Sequence, residues 1–340
     1  MEKSKMNQNK KTISVLGAGS WGTAIAHRLS LSPHLNVCLF GRNVEKVTIM
    51  QQDRINSNYL PLKTLNSALK ITYNLSEALQ SEWLILATPL STLQEWLLML
   101  QNTDHTVINL SKGIHAKNSL LPHEMAEKSW GKEKTEQRFA SLLGPSFAHE
   151  VAAEQPCALT FACKNHDLFS IAAKIFPPVS IRIYWSEDLI GVELGGALKN
   201  VMAIASGICD GLNLGQNARA ALIARGLAEI HRLVLASGGK TETVMGLAGV
   251  GDLVLTATGN ASRNRTVGLK LAQGMLLSQI LHELGHVAEG VLCAKAMLER
   301  ATHLRVDTPI LKMVCQVLDG LVSPKNAVHE LLEREVKKEF

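Results

Sequence analysis

Two textures divide the chain. Through residues 12–187, short aliphatic runs at 13–16, 37–40, 83–87, 107–110, 140–143 and 158–162 alternate with amphipathic stretches. Unbroken apolar runs of this length, spaced by segments of helical period, predict buried parallel strands joined by crossover helices. From Gly191 onward such runs stop, and long alanine- and leucine-rich segments of helical period, 217–236 and 287–301 among them, are separated by glycine-rich breaks. The pattern predicts an α/β fold. A mostly parallel sheet with helices on both faces spans residues 12–190, a flexible tail at 1–11 precedes it, and an all-α domain at 191–340 follows.

A chain of 340 residues exceeds the size at which one hydrophobic core keeps growing, which agrees with two domains. Hydrophobic residues make up 46% and aromatic ones only 4%, so the cores must be aliphatic and alanine-rich. The formal charge of +5 is mild, and its cations are dispersed rather than gathered in the stripe that nucleic-acid binding needs. Lys3, Lys5, Lys10 and Lys11 lie in a polar lead-in that reads as a frayed terminus, with no apolar segment after it to suggest a secretory signal. The six cysteines are widely spaced and lack a Cys-x-x-Cys pair, which reads as reduced core thiols of a cytoplasmic protein. Histidines show no metal-ligand spacing, and no uninterrupted run reaches the roughly 18 apolar residues of a membrane span. Neither a metal site nor a membrane partner is expected.

Chemistry enters at Gly17-Ala18-Gly19-Ser20-Trp21-Gly22, between the strand at 13–16 and a helix predicted at 23–31. The three glycines then serve a tight turn, close backbone approach to a pyrophosphate, and close packing of helix on strand, with helix N-terminal amides facing the anion. In that setting the spacing marks a Rossmann-type dinucleotide site. After the second strand comes Arg42, where an NAD-selective site places an acid on the ribose hydroxyls. Arg42 would pair with a 2′-phosphate, or it is a solvated surface arginine. NADPH (or NADP) is therefore expected to serve at least as well as NADH (or NAD). Loops at 87–89, 111–113 and 144–148 follow other strands, and ligands of open α/β sheets collect outside the carboxyl ends of strands.

In the second half, Lys199 carries Gly195, Gly196 and Ala203 on its own helix face. Glycines inside a helix cost about 1 kcal/mol each against alanine, so close approach by backbone or ligand is the expected reason for them. A partly desolvated lysine there could exchange a proton with a carbonyl or alcohol oxygen; a lysine snorkelling from a packed helix is the bland alternative. Further on, a glycine-rich turn ends at Asp252, and Ser262-Arg263-Asn264-Arg265 gathers groups suited to a phosphate or to a solvated turn. Glu289 is either a plain first-turn acid of a helix or a cofactor contact.

Together these motifs resemble NAD(P)-dependent glycerol-3-phosphate dehydrogenases of the bacterial type. The resemblance rests on seven ordered blocks, at 17–24, 111–114, 144–148, 194–201, 246–252, 262–265 and 287–291. It implies that Ser20, Trp21, Arg42, Lys112, Ala148, Arg263, Val287 and Glu289 touch NADPH, alongside Gly17, Gly19 and Gly22. It implies that Lys199 is the proton donor and acceptor. Lys112, Gly144, Ser146, Asp252, Ser262, Arg263 and Asn264 would surround dihydroxyacetone phosphate or sn-glycerol 3-phosphate, with Lys112 stabilising the forming alkoxide and Asp252 completing the catalytic set. Leu62 and Leu143 stand where the family commonly has glycine and serine, and neither position carries chemistry.

The implied activity is reversible reduction of dihydroxyacetone phosphate, feeding glycerophospholipid synthesis. Another dehydrogenase of this architecture, acting on a 3-hydroxy acid or sugar acid, would not need the 262–265 cluster. A non-catalytic nicotinamide-nucleotide sensor would keep the glycine loop without Lys199 in its glycine setting. The oligomeric state stays open in the sequence, a homodimer being one arrangement.

Overall fold

The aliphatic runs become strands. The computed structural model describes residues 10–176, 181–285, 288–335 and 338; most of the expected N-terminal tail lies outside these, and Lys11 already belongs to the first strand. In chain order the strands are β1 (Lys11–Leu16), β2 (Leu35–Phe40), β3 (Ile55–Asn56), β4 (Leu60–Thr64), β5 (Lys70–Thr72), β6 (Trp83–Leu86), β7 (Thr106–Asn109), β8 (Phe139–Leu143), β9 (Cys157–Ala162) and β10 (Ile181–Ser186). Eight of them form one sheet in the order β10-β9-β8-β7-β6-β1-β2-β5, while β3 and β4 pair antiparallel. β1 runs parallel to β2 and β6, β6 to β7, β7 to β8, β2 to β5, and β9 to β10.

The sheet is the expected mostly parallel one, and its central strands are fully buried at Ile13, Val15, Leu84, Ile85 and Leu86. Four strands escape the aliphatic-run criterion. β5 and β10 are sheet edges, the former with three residues, the latter buried only at Ile181, with Tyr184 and Trp185 exposed. β3 and β4 are short and lie outside the main sheet. Half-exposed edges need no continuous apolar run, so the pattern passes over them.

The fold divides into two units. One comprises the chain up to Ser111, Met125–Leu142 and Ser146–Glu187; the other comprises Lys112–Glu124, Leu143–Pro145 and the chain from Asp188 onward. Within the first, the strand order reverses at β1, whose last residue, Leu16, is in register with both Phe40 and Leu86. Three strand ends therefore meet at the switch point where such sheets bind ligands.

After Ser186 the described residues add helices and no further strand. The 23-residue helix Leu189–Gly211 is the axis of the second unit. It is long and apolar enough to cross a membrane by composition, but 94% of its apolar window is buried inside the fold. The Arg263–Ala272 helix packs directly on it at Gly207 and Gly268, where a Cβ would come within about 2 Å of an opposing backbone carbonyl. All six cysteines are free thiols, buried except for the half-buried Cys157.

Candidate active site

The glycine loop of the first unit is fastened to the switch point by backbone. Gly17 N–H donates to Phe40 O at 2.9 Å, and Ala87 N–H donates to Leu16 O at 2.9 Å. Gly17 takes φ +120°, and a Cβ there would lie 2.5 Å from the Ala87 carbonyl oxygen; on Gly22 it would lie 1.9 Å from that of Gly17. By contrast, a Cβ on Gly19 would meet nothing within 4 Å. The helix Ser20–Ser30 begins right after Gly19, with no side-chain cap and no acid in its first turn. Free N-terminal amides and an open approach over Gly19 are what a pyrophosphate requires. Beside the loop, Ser111 Oγ donates to Thr88 O at 2.7 Å, while the buried Thr88 hydroxyl has no partner among the described residues.

Arg42 stands two residues beyond the end of β2, exposed and without an ionic partner among the described residues. Trp21 is half-buried, and Ala148 opens the short helix Ala148–Ala152. These residues fit a dinucleotide: a glycine cradle, uncommitted amides, an orphaned hydroxyl and a free guanidinium.

In the second unit one carboxylate holds two lysines. Asp252 is 1% exposed; its Oδ1 accepts from Lys199 Nζ at 2.6 Å, and its Oδ2 accepts from Lys112 Nζ at 2.8 Å. Lys112 also donates to Gly144 O at 3.0 Å, and Lys199 to Thr256 Oγ1 at 2.8 Å. An ammonium has three donors, so each lysine keeps one N–H beyond these bonds.

Local backbone aims these groups. The π-helical turn Leu247–Gly251, in which Gly251 N–H reaches back to Gly246 O at 3.2 Å, leads straight into the Asp252–Thr258 helix. Thr256, one turn after Asp252, shares its face. On the Lys199 helix, a Cβ on Gly195 would lie 2.6 Å from Ala248 O. Backbone approach thus explains that glycine and brings the Asp252 turn onto the Lys199 face.

Burial pushes Lys199 down, Asp252 opposes this and Lys112 adds to it, leaving its ammonium at about 8. Burial works against the charge of Asp252 too, but Lys112 and Lys199 together hold its carboxyl below the usual carboxylate range. A lysine that releases its proton near neutral pH is a competent general acid and base.

The 262–265 cluster splits on folding. Ser262 caps the Arg263–Ala272 helix by accepting from Arg265 N–H at 3.2 Å. Arg265 is committed to Asp210, its Nε donating to Oδ2 at 2.7 Å, and Arg219 holds the other oxygen at 3.0 Å. Arg263 is exposed and has no ionic partner among the described residues. Asn264 is internal wiring, its Nδ2 donating to Asn200 Oδ1 at 2.9 Å and its Oδ1 accepting from Gly290 N–H at 3.0 Å. Asn200 Nδ2 in turn donates to Glu289 Oε2 at 3.4 Å. Burial pushes the Glu289 carboxyl up, against Arg263, Lys112 and Lys199.

Of the residues singled out by sequence, Gly17, Gly19, Ser20, Trp21, Gly22, Arg42, Ser146 and Ala148 fall in the first unit. Lys112, Gly144, Lys199, Asp252, Ser262, Arg263, Asn264 and Glu289 fall in the second. The second unit joins Lys112, Gly144, Lys199 and Asp252 directly and links Asn264 to Glu289 through Asn200. Val287 lies outside the described residues. Sequence reasoning missed Thr256 and Asn200; the first is signalled by its i+4 spacing from Asp252, the second by adjacency to Lys199.

A glycine loop suited to a dinucleotide at a Rossmann switch point, together with a helical unit in which a buried lysine is paired with a carboxylate, is the make-up of a nicotinamide-dependent dehydrogenase. Family models for the N-terminus and C-terminus of NAD-dependent glycerol-3-phosphate dehydrogenase match residues 12–169 and 188–329. The chain belongs to that family. It is 48% identical over 337 residues to a glycerol-3-phosphate dehydrogenase [NAD(P)+] of Polynucleobacter asymbioticus, covering 96% of this chain and 99% of the relative. One from Thiobacillus denitrificans is 46% identical over 332 residues, with 96% and 99% covered. The crystal structure of the Coxiella burnetii glycerol-3-phosphate dehydrogenase superposes with a TM-score of 0.89 at 37% identity, covering 96% of this chain and 99% of that one.

Proposed function

We propose that this protein catalyses the reversible reduction of dihydroxyacetone phosphate to sn-glycerol 3-phosphate with NADPH or NADH. The observation that carries the reading is the Asp252 carboxylate shared by Lys199 and Lys112 at 2.6 and 2.8 Å. When bound, the reduced dinucleotide supplies a hydride equivalent to the ketone carbon. Lys199 gives its proton to the ketone oxygen as that oxygen gains charge, and takes it back in the reverse direction. Lys112 offers its spare N–H to the same oxygen, stabilising the developing alkoxide. Asp252 holds both ammonium groups in place and balances one of their two charges.

Arg263 and the free amides behind the Ser262 cap receive the substrate phosphate, supplying binding energy remote from the reacting carbon. Gly17, Gly19, Ser20, Trp21, Gly22, Arg42 and Ala148 hold the dinucleotide, with Arg42 on the 2′-phosphate of NADPH. The product would enter glycerophospholipid synthesis in the cytoplasm, a setting suited to six free thiols. The test is NADPH oxidation on adding dihydroxyacetone phosphate, compared with dihydroxyacetone. Rapid turnover of the phosphate ester alone, abolished in Lys199→Ala, is the expected result. Equal turnover of both ketones would reject the phosphate reading, and near-normal turnover by Lys199→Ala would reject the proton donor.

A further inference from the structure

Lys112 reaches Asp252 from a segment, Lys112–Glu124, that has little backbone pairing of its own before its last three residues open the helix Pro122–Trp130. Within it, Ser119 N–H bonds to His115 O and His115 N–H to Leu120 O, both at 2.9 Å, and Ser119 takes φ 53°. Ile114 and Leu121 are buried in the helical core. Apolar burial holds the segment down but is non-directional. Orientation has to come from polar contacts, which are directional.

Apart from the bonds of Lys112 itself to Asp252 and Gly144, side-chain contacts to neighbouring helices fall mainly on two consecutive residues at the segment's far end. The His123 backbone N–H faces both oxygens of Glu193 at 3.2 Å, and its Nδ1 is 2.6 Å from Glu193 Oε2. Glu193 is 1% exposed and lies on the same helix as Lys199, six residues before it. Next to His123, Glu124 takes a two-pronged bond from Arg300, Nη1 to Oε2 at 2.9 Å and Nη2 to Oε1 at 2.8 Å. Arg300 Nη1 also donates to Ser119 O at 3.2 Å, and Arg300 lies on the helix headed by Glu289. The segment that presents Lys112 is thus braced to the two helices that present Lys199 and Glu289. Each brace is a set of directional hydrogen bonds between buried or part-buried groups, and losing one leaves its partner's donors or acceptors unmet, so selective loss of either brace should free this segment first.

We propose that Glu193 and Arg300, acting through His123 and Glu124, are positioning residues that keep Lys112 on the Asp252 carboxylate opposite Lys199. The idea rests on the reading of Lys112 and Lys199 given above, but its test does not need turnover. The charges around Lys199 are Asp252 and Lys112, with Glu289 and Arg263 coupled to the same cluster. Lys112 is one of the groups that push Lys199 down, so its withdrawal moves Lys199 upward.

The experiment is an NMR titration of the full-length protein, without dinucleotide, labelled with ε-13C lysine, the Lys199 signal being assigned with Lys199→Met. Lys112→Gln sets the reference for withdrawal of the Lys112 charge. Glu193→Gln and Arg300→Lys, both close in size to the native residues, should move the Lys199 midpoint upward, in the direction of the reference, by roughly half a pH unit or more. Neither should move it further in the Lys112→Gln background. Folded variants that keep the wild-type midpoint overturn the proposal, as do shifts that add fully to that of Lys112→Gln. If Glu193→Gln does not fold, Arg300→Lys, which retains the charge, decides alone. Failure to reduce dihydroxyacetone phosphate would sink the functional reading and leave this titration standing.

Discussion

Lys199 and Asp252, 53 residues apart in the chain, form a buried ion pair at 2.6 Å. Its consequence is a pH dependence of opposite sign in the two directions of reaction. Burial and Lys112 hold the Lys199 ammonium down at about 8 despite Asp252. Reduction needs Lys199 protonated, so kcat/KM for reduction should fall as pH rises through about 8; oxidation needs it neutral, so kcat/KM should rise there. Rate profiles in both directions between pH 6.5 and 9.5, roughly 1.5 units either side of that value, check this. Flat profiles in both would show that Lys199 does not carry the proton.

Asp252→Asn removes the only one of these influences that raises Lys199, so the limb in reduction should move toward acid. That is opposite to the shift expected for Lys112→Gln. The buried Lys199 and part-buried Lys112 ammonium groups also lose their shared counter-charge, at a cost of about 3–5 kcal/mol in stability. Turnover should fall by roughly 100- to 1000-fold, as for loss of other electrostatic stabilisers. An unshifted limb in a folded Asp252→Asn protein would contradict the shared-carboxylate account.

What the sequence made legible was local. Gly17, Gly19 and Gly22 sit in one short window, where spacing alone carries the geometry, and the central strands advertise themselves as aliphatic runs because both faces are buried. β10 did not, since an edge strand with Tyr184 and Trp185 exposed has no such run. Lys112 and Asp252 are 140 residues apart, and no periodicity links them; only the family resemblance put them together. Arg263 and Arg265 look equivalent in sequence and are not, because the partner that removes Arg265 from play is Asp210, on another helix. Thr256 reads as an ordinary core threonine until the lysine it accepts from is placed.

That difference between the arginines predicts a split. Arg263, exposed and with no ionic partner among the described residues, is available to a phosphate, so Arg263→Ala should raise KM for dihydroxyacetone phosphate by roughly 10- to 100-fold, consistent with about 1.5–3 kcal/mol for charge-assisted hydrogen bonds. Its melting temperature should hardly change. Arg265→Ala instead strips the half-buried Asp210 of one partner and should lower stability by roughly 1–3 kcal/mol with little effect on KM. Steady-state kinetics beside thermal melts separate the two, and the reverse pattern would reassign the phosphate to Arg265.

Arg42 makes the cofactor choice testable in isolation. It is exposed, has no ionic partner among the described residues, and follows a β2 end fixed by Gly17 N–H on Phe40 O at 2.9 Å. Arg42→Ala should weaken NADPH by roughly tenfold, the scale of one charge-assisted contact at an exposed site, and leave NADH nearly unchanged. Fluorescence titration with both cofactors reads this directly. Equal losses would mean that the side chain supports the loop rather than the 2′-phosphate.

Within the first unit, a buried histidine predicts an acid sensitivity of stability. His27 is 3% exposed, and its Nδ1 accepts from Asn66 N–H at 3.1 Å. Burial first, then Lys63, push its imidazole down to about 4 from 6.5, against Glu154. Because the folded value lies below the unfolded one, the unfolded chain takes up the proton first. Stability is therefore fully present above about 6.5 and declines as pH falls toward 4, by at most about 3 kcal/mol. His27→Gln keeps an acceptor for Asn66 N–H but cannot titrate. Denaturant unfolding at pH 7.5, 6, 5 and 4, values spaced roughly across that window, should show the wild type losing stability faster than the variant. Parallel curves would place the acid sensitivity elsewhere.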